Sequence, residues 1–312
     1  MNVPFIISIT GLVTPYTLKY YGGVPYKFRL LNLVRRAMSK FTYSQTLLQG
    51  KKDFQRRGVF EVKAIKNANH IIGRTSWDRA CTFFINPKVN YYICNETLRD
   101  CFYNDLWSYE KCIKYSIVVP QMGYPLKGFE RFLDGFKIIK EVYPDAKVFV
   151  PGWNRFCVNN KLKRDLSVWL SEYDSFLKRK ITAYRLWDSI VFCGPLDDKG
   201  MKDILLKANA FVLPSALENS PNSMGEAMLL GVPTVASCVG GVQDLLKDKI
   251  EGFLYPYDEP YMMDYYIIML FNNFELAEDI SRRSRERALA IYNKKENVQN
   301  LINIYNKIKM KQ

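Results

Sequence analysis

Histidine is almost missing from this 312-residue chain; His70 is the only one. A histidine-rich metal centre and a histidine-centred catalytic triad are thereby nearly excluded. In "NANHIIGRT", His70 precedes an apolar pair and reads as a residue entering a strand. Cysteine is present but unpatterned. Seven residues stand at 81, 94, 101, 112, 157, 193 and 238, an odd number without a C-x-x-C pair. This argues against a disulfide framework or zinc site and for a reducing cytosol. No metal and no bound cofactor are expected. Long apolar runs are lacking too, since none reaches membrane-spanning length. The opening "MNVPFIISITGLVTPY" is apolar but carries no basic leader and no A-x-A-like cleavage site, so it reads as strand and loop. No G-x-G-x-x-G follows an early strand, which removes an NAD-type reading. Repeats of solenoid period are absent. No like-charge run is long enough for a nucleic-acid tail, and no nucleic-acid motif is present, so nucleic acid is not an expected partner.

What is there is a chain able to bury a core. It is 48% hydrophobic and 14% aromatic, and its length suits two domains. Forty-five Lys and Arg stand against 31 Asp and Glu, a formal net charge of +14. Such a surplus favours phosphates or acidic lipid head groups as partners. From Tyr26 to Phe41, "YKFRLLNLVRRAMSKF" patterns as a helix. Leu31, Val34, Met38 and Phe41 share one face, while Arg29, Arg36 and Lys40 lie opposite. With "GKKDFQRRG" after it, this region reads either as a peripheral contact with an anionic membrane or as a core-packed helix with solvated charges.

From about Ile113 the pattern becomes regular. "YSIVVP", "AKVFVPG", "SIVFCGPL", "AFVLPS", "PTVAS" and "EGFLYP" read as strands. Between them, "KGFERFLDGFKIIKEVYPD" places Phe129, Phe132, Leu133, Phe136 and Ile139 at helical spacing. A long amphipathic stretch covers about 160–184. The alternation predicts an α/β fold with parallel sheets and helices on both faces. Ligands of such sheets sit at the carboxyl ends of the strands, where the strand order reverses.

The stretch "LPSALENSPNSMGEAMLLGVPTVAS" sits at such an edge. Glu218 follows a strand. A helix is expected from about Asn222, capped by Asn or Ser, and Glu226 falls in its second turn. A helix N-terminus is an anion site. Acids on either side of it suit hydroxyl groups rather than phosphate, as a nucleotide sugar would present. The plain alternative is a solvated loop acid and an ordinary helix-face glutamate.

Taken as a whole, "ENSPNSMGEAMLLGVPTVASCVGGVQDLL" resembles the donor-site signature of retaining glycosyltransferase family 4, of the GT-B fold. The family's E-x7-E, G-x-P and G-G elements correspond to Glu218, Glu226, Gly231, Pro233, Gly240 and Gly241. "YPLKGFERFLDGF" resembles the family's K-G helix start, and "VFCGPLDD" its loop near the nucleotide base. The match runs from about 115 to 310. "IIGRTSWDRACTFFINPKVNYYICNETLRDCFY" is similar to the N-terminal domain of members that build bacterial surface polysaccharides.

The resemblance implies two Rossmann-like domains: a partial acceptor-side domain over 1–112 and a donor-binding domain over 113–290. A C-terminal helix over 291–312 would return toward the first. It implies Lys127 and Glu218 as the catalytic pair, the lysine on the donor diphosphate and the glutamate on the transferred sugar. Donor contacts would also come from Gly128, Asn219, Ser220, Asn222, Ser223, Gly194 and Leu196, with Glu226 on the ribose. The partners implied are a nucleotide-sugar donor and a glycan or lipid-linked acceptor, in the cytoplasm or at the inner face of the plasma membrane. Two departures stand out. Where many members carry an arginine before the lysine, this chain has Gln121 and Met122. The usual opening strand with its Gly-rich loop is absent, so the resemblance enters partway through the N-terminal domain. A truncated chain, or a remnant that binds nucleotide sugar without turning it over, is the alternative expectation. An epimerase or phosphorylase of the same fold ranks lower, for want of an epimerase-like histidine or a cofactor-lysine context.

Overall fold

The computed structural model describes residues 5–29 and 46–310. Two parallel sheets organise them. The first has three strands in the order β1 (Ile6–Ser8), β2 (His70–Gly73), β3 (Asn90–Ile93). The second has six: β4 (Ser116–Val118), β5 (Lys147–Pro151), β6 (Ile190–Gly194), β7 (Ala210–Leu213), β8 (Thr234–Ser237) and β9 (Phe253–Tyr255). Their order is β6-β5-β4-β7-β8-β9. The strand order reverses between β4 and β7, the place where a doubly wound sheet opens a crevice.

Local sequence explains the elements. β7 (AFVL) and β8 (TVAS) are buried throughout, as expected of central parallel strands covered on both faces. Helix Phe129–Val142 buries Phe129, Phe132, Leu133, Phe136 and Ile139, the face its spacing predicts. Its phenylalanines stack with centroids 5.7 and 5.2 Å apart. Helix Asn222–Leu230 buries every residue from Met224 onward and ends at Gly231, in the left-handed region with φ 78°. In the first sheet, helices Leu47–Asn67 and Ser76–Ile85 both open with capping boxes, Thr46 with Gln49 and Thr75 with Asp78.

Helix Lys294–Lys309 crosses back from the large sheet to the small one. Its Ile304 and Ile308 pack on Ile72 and Cys94. His70 begins β2, and its Nδ1 lies 3.2 Å from the Tyr92 hydroxyl.

One expectation needs revision, and two others are refined. The stretch 160–184 is two helices, Lys161–Leu170 and Glu172–Ala183, because the Ser171 side chain caps the second by accepting from the Asp174 N–H. Helix Asn222–Leu230 has Pro221 at its N-cap and no side-chain cap, so neither Asn nor Ser closes its first turn. Of the basic helix expected over 26–41, only Tyr26–Arg29 is described and helical; the rest lies outside the described residues.

Candidate active site

The reversal between β4 and β7 brings two loops together at the carboxyl edge. The first leaves β4 and ends in the turn Pro125–Lys127. The second leaves β7 and carries Ser215 and Glu218. Gly128 joins Lys127 to the following helix with φ 66°, and a Cβ there would stand 1.7 Å from the Pro214 carbonyl oxygen. Only glycine permits both the left-handed backbone and this approach. The loops thus touch backbone to backbone, with their side chains aimed at one point.

At that point Lys127 Nζ donates to Glu218 Oε1 at 2.8 Å. Ser215 Oγ donates to the same oxygen at 2.7 Å. The Gly240–Gly241 loop braces Glu218 from behind: the Gly241 N–H donates to its carbonyl at 3.1 Å. Burial works against the Lys127 charge, but the Glu218 carboxylate and the Tyr124 phenol outweigh it and raise its pKa. The site therefore holds a fixed ammonium beside a fixed carboxylate.

Glu226 rises from helix Asn222–Leu230 and is 4% exposed. The Arg99 guanidinium grips it as a fork, Nε to Oε1 at 2.7 Å and Nη2 to Oε2 at 2.8 Å. The third nitrogen, Nη1, donates to Asp198. Its hydrogen bonds to Glu226 are the main cause raising the Arg99 pKa. The guanidinium also lies over the Phe102 ring, 4.7 Å from its centroid.

Asn219 and Ser220 face the first sheet. Asn219 Nδ2 donates to Asp78 Oδ2 at 2.8 Å, and its Oδ1 accepts from Thr75 Oγ1 at 2.6 Å. Beside them, the Tyr16 phenol has its pKa raised first by burial and then by Glu218. Ser220 stands beside the hydroxyl of Tyr292. Asn222 is exposed at the helix start, with Nδ2 3.5 Å from Glu96 Oε2; Glu96 in turn pairs with Arg74. Ser223 is half-buried in the first turn. Gly194, with φ 70°, ends β6, and half-buried Leu196 follows. Asp197 then caps helix Asp198–Leu206, which carries Asp198 to Arg99.

The residues named from sequence thus fall along one edge, in two connected groups. Lys127, Gly128, Glu218 and Asn219 form the first. Asn222 and Glu226 form the second, joined through Arg99 and Asp198 to the loop of Gly194 and Leu196. Sequence reading missed Arg74, Glu96, Arg99 and Tyr16. Each is an ordinary residue in an ordinary run, and only the fold carries it to the edge. Among the described residues, no three His, Cys, Asp or Glu gather as a metal site.

The model for glycosyl transferases group 1 matches residues 114–287, more than half of the chain and all of the six-stranded sheet. The chain belongs to this glycosyltransferase family. An uncharacterized glycosyltransferase of Haemophilus influenzae is 29% identical over 163 residues, 52% of this chain and 41% of that protein. Mannosylfructose-phosphate synthase of Agrobacterium fabrum is 27% identical over 169 residues, 53% of this chain and 35% of that protein. This glycosyltransferase chain therefore aligns with well under half the length of the curated relatives it matches. Among solved structures, Anabaena HepE in complex with UDP-glucose superposes with a TM-score of 0.68 at 14% identity, over 98% of this chain and 72% of that one. The α/β architecture with two parallel sheets is that of GT-B glycosyltransferases.

Proposed function

We propose that the chain is a retaining glycosyltransferase of family 4, moving a sugar from a nucleotide-sugar donor to a glycan or lipid-linked acceptor in surface-polysaccharide synthesis. One observation carries the reading: a fixed Lys127–Glu218 pair at the strand-order reversal, beside the N-terminus of the helix that bears Glu226. Transfer with retention develops an oxocarbenium-like sugar and a departing diphosphate. Charge held at the leaving group is then the main aid to reaction. Lys127 and the helix end supply positive charge without a metal. Glu218 accepts from hydroxyls of the sugar, with Asn219 and Ser220 alongside. Glu226 accepts from the ribose, and Gly194 and Leu196 border the base. Residues 1–112 would form the acceptor side, 113–290 the donor side, and 291–312 the returning helix.

The relatives support this in kind: one is a sugar-phosphate synthase and another is seen with UDP-glucose. The reaction would take place in the cytoplasm, with peripheral contact at the inner membrane face. No described helix is long and apolar enough to cross a membrane. Radiolabelled transfer from a panel of UDP-, GDP- and ADP-sugars tests the activity. Lys127→Ala should cost about a hundredfold or more in turnover, the usual loss for a group on a developing anion. Turnover unchanged in Lys127→Ala and in Glu226→Ala would remove the assignment.

A second reading, a protein that binds nucleotide sugar without turning it over, is favoured by the buried Tyr16 phenol that crowds Glu218. Donor binding without transfer to any acceptor would select it.

A further inference from the structure

The segment Glu96–Arg99 presents two oppositely charged groups to the donor edge. The Arg99 fork takes both oxygens of Glu226, and with it in place the Glu226 side chain is only 6% exposed. No free edge of that carboxylate is left for a ribose diol. Three residues earlier, the Glu96 carboxylate lies beside Asn222 at the N-terminus of helix Asn222–Leu230. An anion there interacts favourably with the helix end. Glu96 is held in place by Arg74, whose own side chain is 6% exposed. A second feature marks the spot as built for more than this contact. The Tyr292 hydroxyl is buried beside Ser220 and stands over Gly225 of the same helix.

We infer that Glu96 and Arg99 act as a built-in donor mimic, the carboxylate in the place of a phosphate and the guanidinium in the place of the ribose hydroxyls. Arg74, once Glu96 leaves, becomes a phosphate ligand of the incoming nucleoside diphosphate. The inference rests on the donor-site reading above. It also explains a departure in sequence: the basic residue lacking at Met122, which is buried, is supplied from the end of β2. The exchange is one of like for like. A phosphate replaces a carboxylate on Arg74, and hydroxyl donors replace guanidinium donors on Glu226. The mimic therefore lowers apparent affinity without altering the site it covers, by the fraction of molecules in which the site is uncovered. It is also selective. A ligand must displace both groups to be held fully, so a nucleoside or a phosphate alone competes less well than the two joined.

Calorimetric titration of the full chain with UDP, GDP and ADP, each paired with its nucleoside, tests the idea. The proteins are wild type, Glu96→Gln, Arg99→Gln and Arg74→Gln. The nucleoside diphosphate that binds should bind roughly tenfold tighter to Glu96→Gln and to Arg99→Gln. It should bind roughly tenfold weaker to Arg74→Gln, while the matching nucleoside is unaffected by that change. A general loss of packing would weaken both ligands alike. Arg99→Gln leaves a buried carboxylate without its partner and could unfold the chain. Glu96→Gln, at a half-exposed position with the same shape, still decides the matter. Equal or weaker nucleotide binding in Glu96→Gln overturns the mimic, and equal loss of nucleoside and nucleotide in Arg74→Gln overturns the phosphate role. If no variant and no wild type binds any of the three, the donor-site reading itself fails, and this inference with it.

Discussion

Asp264 should make the stability of this protein fall as pH rises toward neutrality. It sits in helix Pro260–Asn272, packed against helix Phe129–Val142, and is 5% exposed. Its Oδ1 has no hydrogen-bond partner, and it lies 2.2 Å from where a side chain at Gly135 would begin. Burial, then the neighbouring Asp134, pushes its pKa up from 3.8 to about 7, with Lys137 opposing. The folded state therefore keeps a proton that the unfolded chain releases above pH 3.8. Between pH 4 and 7 the folded state binds more protons, so unfolding becomes easier as pH rises, and the loss levels off above 7. Each pKa unit is worth ~1.4 kcal/mol, so the whole effect is of the order of 4 kcal/mol. Asp264→Asn removes the ionisation. Urea unfolding followed by tryptophan fluorescence at pH 4.5, 6 and 8 should show the variant gaining on wild type as pH increases, by a few kcal/mol at pH 8. Comparing the two proteins cancels the other buried acids, such as Glu130 and Asp174, whose pKa values burial also raises. A difference that stays constant across the three pH values would refute the reasoning.

Gly128→Ala should lower stability by at least 1–3 kcal/mol in a thermal melt, because it forces both a left-handed backbone and a clash with Pro214. Nucleotide binding should fall with it, since Lys127 is the adjacent residue. Phe132→Ala, at the centre of the stacked phenylalanine face, should cost about 3–5 kcal/mol in urea unfolding. Glu130→Gln should loosen residues 20–29 from the large sheet. Its carboxylate accepts from the Gly23 N–H at 2.7 Å and from the Tyr173 hydroxyl at 2.6 Å. Weakening these should cost ~1–3 kcal/mol and speed limited proteolysis in that segment. A reductant should leave the melting temperature unchanged, because all seven cysteines are free.

Local chemistry made much of this molecule readable in sequence. Phe129, Phe132, Leu133, Phe136 and Ile139 announce a helix face by spacing alone, and Gly231 with Pro233 announces a helix end. The run around Glu218 and Glu226 is dense enough in small and turn-forming residues to mark a loop and a helix start. What could not be read was which loop meets which. Strand order is set by packing between segments far apart in the chain. The meeting of Lys127 with Glu218, 91 residues later, has no local trace. The same holds for Arg99 on Glu226 and for Thr75 on Asn219. The split at Ser171 escaped notice because apolar residues keep a helical spacing on both sides of it, and a single capping serine outweighs that pattern. The expected cap at Asn222 failed because Pro221 takes the N-cap position and the Asn222 side chain turns to Glu96 instead.

Among the described residues, the chain passes from the small sheet to the large one between β3 and β4, and returns in helix Lys294–Lys309. These two passages touch. The Tyr103 hydroxyl donates to the Tyr292 carbonyl at 2.8 Å, and Asn297 Nδ2 donates to the Glu96 carbonyl at 3.0 Å. A swing of one half against the other that keeps both contacts pivots there, as a door turns on paired hinges, and must also part Gly23 from Glu130. Displacement in a rotation grows with distance from the axis, so groups beside the pivot travel least. Arg99 and Glu96 lie on one of the two passages, whereas Tyr16, Thr75 and Ser76 lie outside them. A modest swing would part the outlying contacts, Thr75 from Asn219 and Ser76 from Asp244, while hardly moving the fork from Glu226. Widening the edge and freeing the Glu226 carboxylate are then separate events: the first is a motion of whole sheets, the second a rotation about the bonds of one side chain.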